Sequence, residues 1–406
     1  MTLAGAFVVL GTLFVKHQFQ YEYVYSHSAL DHELQYLIAG VWSGQEGSFL
    51  LWGLLSGLCG SIAVRSVIGE RKWFIVVYSL FMIGISSILA FESPFNLNDY
   101  EGMPMFIPPD GVGMSAPLLN YWMVIHPPVI FIGFSSLTIL FAWAVAALMH
   151  RDLKSWIDGV RPYSIFAMTF LGLGLAMGGF WAYETLGWGG FWAWDPVENT
   201  SFVPWCAVIA FVHGIFVQKS KNKWFLANSI FAALPLVLFM YGTFLTRSGY
   251  LGEASVHSFA EMDNNALKIL IGLAALVILG YVVALGLNFK PAMAKIEASK
   301  EMETQVINRQ TVYGIGIWLL LAFSCIAAFG MSFPLFQRIL SQPPKAVLES
   351  TYHLLMGWFY PAIMIVMAAA PFITWRGLKL GQLFLKVINS IALTTVSYTH
   401  LRAHET

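Results

Sequence analysis

Pro127-Pro-Val-Ile-Phe-Ile-Gly-Phe-Ser-Ser-Leu-Thr-Ile-Leu-Phe-Ala-Trp-Ala-Val-Ala-Ala-Leu-Met149 runs for 23 residues without a charged side chain. A helix of that length extends about 35 Å, enough to cross a hydrocarbon layer of about 30 Å. Comparable stretches recur near 49–69, 73–91, 163–182, 200–217, 225–244, 268–288, 311–331 and 353–375, with a short one at 2–15 and another at 380–396, about eleven spans in all. Composition agrees: 58% hydrophobic, 11% charged and a mean hydropathy of +0.68 lie far outside what a soluble domain with a solvated surface shows. The fold class expected is all-α, a polytopic transmembrane helix bundle forming one integral membrane domain over 1–396.

Net charge is zero, so the overall balance selects no acidic or basic partner; the distribution of cations carries the information. Sixteen of the 22 Lys and Arg fall in alternate connections, around 65–72, 151–161, 219–223, 290–309 and 376–386. By the positive-inside rule these are cytoplasmic, and the connections 92–120, 183–199, 245–267 and 332–352 face outward. The stretch 289–310 is the largest inner polar loop. Cys59, Cys206 and Cys325 sit singly in or beside apolar spans, which reads as small buried hydrophobes and excludes both a thiol oxidoreductase and a c-type cytochrome. There is no internal repeat, glycine-rich phosphate loop or basic nucleic-acid patch. Residues 397–406 break abruptly from the span before them and read as a non-native tail, so His400 and His404 carry no functional weight.

The outer connections concentrate the chemistry. Trp188-Gly-Gly-Phe-Trp-Ala-Trp-Asp-Pro-Val-Glu-Asn-Thr-Ser-Phe-Val-Pro-Trp205 holds four tryptophans, with Trp181 close by, inside an outer segment 181–205. Tryptophan favours headgroup depth in any membrane protein, but a belt needs neither Gly189-Gly190 nor such density. Glycines let a flat ligand approach the backbone, and the indoles of Trp188, Trp192 and Trp194 offer faces to stack on it. Asp195-Pro196-Val-Glu198 has the form of a capping box, which accounts for both carboxylates locally. His126 precedes two prolines and is expected at a helix start, because a residue before proline is pushed away from α geometry. Alone it reads as structural; with His257 it makes two outer histidines flanking the tryptophans, a pair suited to axial ligation of a metal over aromatic rings. Arg247 stands where outer connections hold few cations, and both a carboxylate-binding and a structural reading stay open. His213 lies eight residues inward of Trp205, about 12 Å deeper, where an ionisable side chain is rare and usually functional. Trp42-Ser-Gly-Gln-Glu-Gly-Ser-Phe-Leu-Leu-Trp52 enters a span, with Glu46 near the membrane surface; there a solvated role and a functional one are equally open.

The 188–205 stretch resembles the tryptophan-rich "WWD" signature of haem-handling proteins in c-type cytochrome maturation. Within that superfamily the 42–52 segment, His126-Pro-Pro128, Thr246-Arg-Ser-Gly249 and the order of spans are similar to the CcmF/NrfE group of haem lyases; Ala193, Thr200 and Val203 depart from the pattern. The resemblance implies that His126 and His257 ligate the iron of a haem held as substrate on the outer face. Trp188, Gly189, Gly190, Trp192, Trp194, Asp195 and Arg247 would form its binding surface. It implies that His213 ligates an embedded haem b, whose second ligand in the family lies in a later helix. It also implies roughly one or two further spans before residue 1, so the chain reads as a fragment at both ends.

The activity implied is haem attachment outside a bacterial cytoplasmic membrane, joining haem to Cys-x-x-Cys-His of an apocytochrome c. The implied partners are that apocytochrome, a periplasmic haem chaperone, other maturation subunits, membrane lipid and quinol as electron donor, with no nucleic acid. No general acid or base is assignable, since capping accounts for Asp195 and Glu198 and leaves only Glu184 nearby. Two other readings are a WWD-type protein that delivers haem to the chaperone, which would not be expected to carry the 42–52 motif, and a polytopic transporter or redox subunit, which would show broken helices and mid-membrane charges in paired halves.

Overall fold

The structure, a computed structural model, describes residues 2–98, 107–187, 189–251, 255, 262–296, 307–377, 379 and 381–389. Its helices in chain order are α1 (Thr2–Val15), α2 (Glu22–His27), α3 (Leu34–Ser43), α4 (Gln45–Ala63), α5 (Arg71–Phe91), α6 (Tyr121–His150), α7 (Trp156–Thr185), α8 (Pro196–Lys221), α9 (Phe225–Arg247), α10 (Asn264–Met293), α11 (Arg309–Ile339), α12 (Glu349–Met356) and α13 (Phe359–Ala369). The described residues contain no strand; Tyr21 and Leu97 form an isolated antiparallel bridge. The protein is an all-α membrane bundle.

Among the described residues, fewer helices than the eleven spans expected are long and apolar enough to cross a membrane. Eight helices, α4 to α11, are long and apolar enough to cross a membrane, and nine spans result if α12 with the helical turns after it crosses as one unit bent by 46°. The bend is the reason 353–375 does not form one rod. At 14 residues α1 is only about 21 Å long, short of a crossing. Of the stretch 380–396, residues 381–389 are helical and 390–396 lie outside the described residues, as do the 397–406 tail and 297–306 of the inner loop.

One helix is central. In α6, 83% of the apolar window is buried, against 28% in α5, α7, α10 and α11, which leave most of their surface for lipid. The cause is in the sequence: α6 is apolar or small on every face, with Ser135, Ser136, Ala142, Ala144, Ala146 and Ala147 all buried, so it has no polar side to present to water. It packs against α4, α5, α7, α9 and α10, while α8 packs on α7, α9 and α11.

The cation-rich connections gather at one end of the bundle. Ser66 and Tyr163 share a hydrogen bond of 2.8 Å, Arg151 Nε donates to Asn288 at 3.2 Å, and Lys219 pairs with Asp158. Deeper at that end, Asn228 Nδ2 donates to Gln218 Oε1 at 2.7 Å, and Gln218 Nε2 donates to the Leu153 carbonyl at 2.6 Å. The opposite end carries the start of α4, α6, α8 and α10 and the end of α5, α7 and α9.

Candidate functional site

At that opposite end α6 starts where Asn120 caps it, its side chain accepting from Trp122 N at 2.9 Å. His126 therefore lies in the second turn of α6, not at a helix start as its place before proline implied; the helix runs through Pro127 and Pro128. An α-helical carbonyl normally accepts from the N–H four residues on, and for Met123 that residue is Pro127, which has none. The Trp42 indole takes its place, donating to the Met123 carbonyl at 3.0 Å. External satisfaction of this kind is what lets proline sit inside a membrane helix.

The His126 imidazole turns toward α7. Its Nδ1 lies 2.9 Å from the Gly174 carbonyl, so Nδ1 carries the proton and Nε2 is the nitrogen with ligand character. Gly178 makes the approach feasible, because a Cβ there would lie 2.9 Å from His126 Cε1.

His126 lines a cavity of about 870 Å³. Its walls are strongly aromatic, with Trp42, Trp52, Trp122, Trp181, Phe49 and Phe239, and it also receives Glu46, Glu92, His27 and Arg247. The first turns of α8 close one side through Val197, Thr200 and Ser201. Arg247, at the end of α9, is 8% exposed. Its Nη2 donates to Ser48 Oγ at 2.9 Å, its guanidinium lies 5.6 Å from the centre of the Phe49 ring, and it is within electrostatic reach of Glu46, Glu92 and Tyr23. A buried guanidinium held to one side of an aromatic cavity suits a carboxylate-bearing flat ligand.

Behind this wall, Tyr23 accepts from Gly44 N at 2.9 Å through its hydroxyl; burial, reinforced by Glu46, pushes its phenol pKa up. Burial holds His27 below the usual imidazole range, opposed by its contact with the Tyr23 carbonyl at 3.0 Å.

The tryptophan stretch divides. Glu198 Oε2 accepts from Asp195 N at 3.1 Å and Ala193 N at 3.0 Å, while Asp195 Oδ1 accepts from Val197 N at 2.9 Å, completing the capping box expected from sequence. Ser255, two residues before His257, donates to the same Asp195 oxygen at 2.8 Å. Trp194 adopts a left-handed φ of 59° and points away from the cavity. It stacks on Tyr352 at 5.2 Å and 16°, meets Phe323 and Phe202 edge-on, and its carbonyl accepts from Asn199 Nδ2 at 3.0 Å. Trp192 packs edge-on against Trp194 at 6.0 Å. Gly189, with φ of 72°, is exposed, and a Cβ on it or on Gly190 would meet nothing. Trp188 and His257 lie outside the described residues.

His213 belongs to neither group. It sits half-buried on α8 with Nδ1 2.8 Å from the Ile209 carbonyl, and the Tyr313 ring meets it edge-on at 5.1 Å. The structure thus brings His126 and Arg247 to one cavity, packs Trp192 and Trp194 against α11 and α12, and keeps His213 between α8 and α11. Sequence reasoning left out Glu92, Ser48, Tyr23 and His27; for the last two, the run Tyr21-Glu-Tyr-Val-Tyr-Ser-His27, rich in Tyr and His, is the signal in the sequence.

Comparison with known proteins gives one family. The family described as "Cytochrome C assembly protein" matches residues 42–251, from the cavity wall at Trp42 through the end of α9. The chain is 31% identical over 396 residues to the cytochrome c-type biogenesis protein CycK of Bradyrhizobium diazoefficiens, covering 93% of this chain and 56% of that protein. It is 30% identical over 381 residues to CcmF of Escherichia coli, covering 92% and 57%. A solved structure titled "Cytochrome c Heme Lyase CcmF" shares the fold, with a TM-score of 0.70 at 23% identity over 95% of this chain and 56% of that one. The chain therefore spans a little over half the length of these relatives. It belongs to the cytochrome c assembly protein family, among relatives of the CcmF, CycK and NrfE type.

Proposed function

We propose that this chain is the haem-presenting part of a cytochrome c haem lyase, and that haem is held as substrate in the cavity beside His126. The observation that carries this reading is the cavity: about 870 Å³, aromatic-walled, with an imidazole on one wall and a buried guanidinium on another. His126 Nε2 would bind the iron, His257 would approach from the other outer connection, and Arg247 would receive a propionate. Trp194 and Asp195, with Trp192, would set the start of α8 against the haem, while Trp188, Gly189 and Gly190 would meet its open edge.

In the reaction, a cysteine thiol of the apocytochrome adds across a haem vinyl group. The S–H bond breaks, an S–C bond forms at the ring-proximal vinyl carbon, and the proton goes to the terminal carbon, with no net redox change. The chain's contribution is positioning and exclusion of water. His213 would help to hold a resident haem b through its imidazole, and that group would supply one-electron chemistry with a quinol as donor. The cation-rich end would face the cytoplasm and the cavity end the periplasm, where a haem chaperone, the apocytochrome and other maturation subunits would dock.

The test is haem binding and attachment by the detergent-purified protein with a Cys-x-x-Cys-His peptide and ferrous haem b, followed by pyridine haemochrome spectra. Covalent haem on the peptide, lost in His126→Ala and in His257→Ala, is expected. Attachment at parental rate in His126→Ala overturns the reading.

A further inference from the structure

We infer that Trp42 is a positioning residue for His126, acting through the Met123 carbonyl that Pro127 leaves without its helical partner. The inference rests on the ligand reading of His126 given above. Met123 and His126 are three residues apart and so share one face and one turn of α6. Whatever fixes the carbonyl fixes the turn that carries the imidazole. A carbonyl without a donor at membrane depth costs free energy, and the first turns of α6 would otherwise twist to relieve it. The indole N–H removes that pressure at 3.0 Å.

Trp42 is suited to the task because it is itself held. It stands near the end of α3, and its ring lies parallel to Phe7 of α1, 6.4 Å between centres at 5°. It donates through a single N–H and has no acceptor with which to compete. On the opposite side the imidazole meets α7, with Nδ1 at the Gly174 carbonyl and the bare Gly178 beneath the ring. His126 is therefore clamped between two independent elements, α3 through the Met123 carbonyl of the same turn and α7 through its own ring. This gives a role to the first residue of the 42–52 segment, which the cavity alone uses only as wall.

The experiment compares the parent with Trp42→Phe, Pro127→Ala, the Trp42→Phe/Pro127→Ala double variant and His126→Ala. Ferric haem b is titrated into the purified protein, with the low-spin fraction read by electron paramagnetic resonance, and hydrogen exchange over 121–127 is measured without haem. Trp42→Phe keeps an aromatic ring and removes only the donor. It is expected to weaken haem binding about 10-fold or more, as loss of an outer-shell partner does, to shift iron from low to high spin, and to speed exchange in 121–127. Pro127→Ala restores the missing N–H four residues after Met123, so in the double variant most of the affinity, spin state and exchange protection return. Packing by the ring predicts no such rescue. Parental spin state and exchange in Trp42→Phe, or a loss that Pro127→Ala fails to restore, overturns the inference while leaving the ligand reading intact. Unchanged haem binding in His126→Ala overturns the ligand reading and the positioning role with it.

Discussion

The cavity around His126 and the cluster around Trp194 lie at the same end of the bundle, yet they are built on opposite principles. The cavity keeps space open: it puts Arg247, Glu46 and Glu92 beside indole walls and leaves about 870 Å³ unfilled. The cluster closes space: Trp194 is 7% exposed, and Tyr352 and Phe323, reached from α12 and α11, fill its surroundings. One signature stretch feeds both, with Val197, Thr200 and Ser201 facing the cavity and Trp192 and Trp194 facing the cluster. The difference teaches that a run of tryptophans can be half binding surface and half anchor, and that the anchor half sets the angle at which the next helix meets the ligand.

The largest effect that would sharpen this contrast is on stability. Trp194→Ala empties the closed cluster and is expected to cost about 3–5 kcal/mol, the range for truncating a buried aromatic, seen as a lower thermal midpoint in detergent with or without haem. A midpoint within experimental error of the parent would remove the anchor role. Arg247→Gln acts on the open side: losing a charge-assisted bond of about 1.5–3 kcal/mol weakens haem binding roughly 10-fold or more in a titration. Equal affinity in the variant would place the propionates elsewhere. Asp195→Ala removes a cap and also the acceptor of Ser255, for about 0.5–2 kcal/mol in the unfolding midpoint.

The smallest effect is the pH response of the wall behind the cavity. Burial lowers the His27 pKa from its ordinary 6.5, so the unfolded chain binds this proton more readily than the folded one. The stability His27 contributes is then complete above the ordinary value and is lost as pH falls through the lower folded value. The thermal midpoint should drop on acidification below about pH 6.5, and His27→Gln should flatten that part of the profile. An identical profile in the variant would assign the drop to other groups.

How much of this was legible in the sequence follows from the range of each interaction. The capping box at Asp195 and Glu198 spans four residues and was read correctly from the string alone. The all-α membrane fold followed from composition and span length, because both are properties of local segments. The number of spans followed less fully: the 46° bend between α12 and α13 depends on packing that no hydropathy window senses, α1 is too short to cross, and part of 380–396 lies outside the described residues. The proline rule misplaced the start of α6 because the donor that rescues it, Trp42, is 81 residues from Met123. Arg247 could be flagged as an unusual cation but not paired, because Ser48 lies 199 residues away. The tryptophans were legible as a feature and not as a division of labour: their type announces aromatic contact, while the direction the Trp194 ring takes is set by α11 and α12.

The central claim is that haem iron meets the imidazole in the cavity wall and not the indoles of the closed cluster. Its most direct test is a ferric haem b titration of the purified protein followed by electron paramagnetic resonance, comparing His126→Ala with Trp194→Phe, which keeps an aromatic ring in the cluster. The account predicts loss of the low-spin signal in His126→Ala and a parental spectrum in Trp194→Phe. A low-spin signal that survives in His126→Ala and disappears in Trp194→Phe would contradict it.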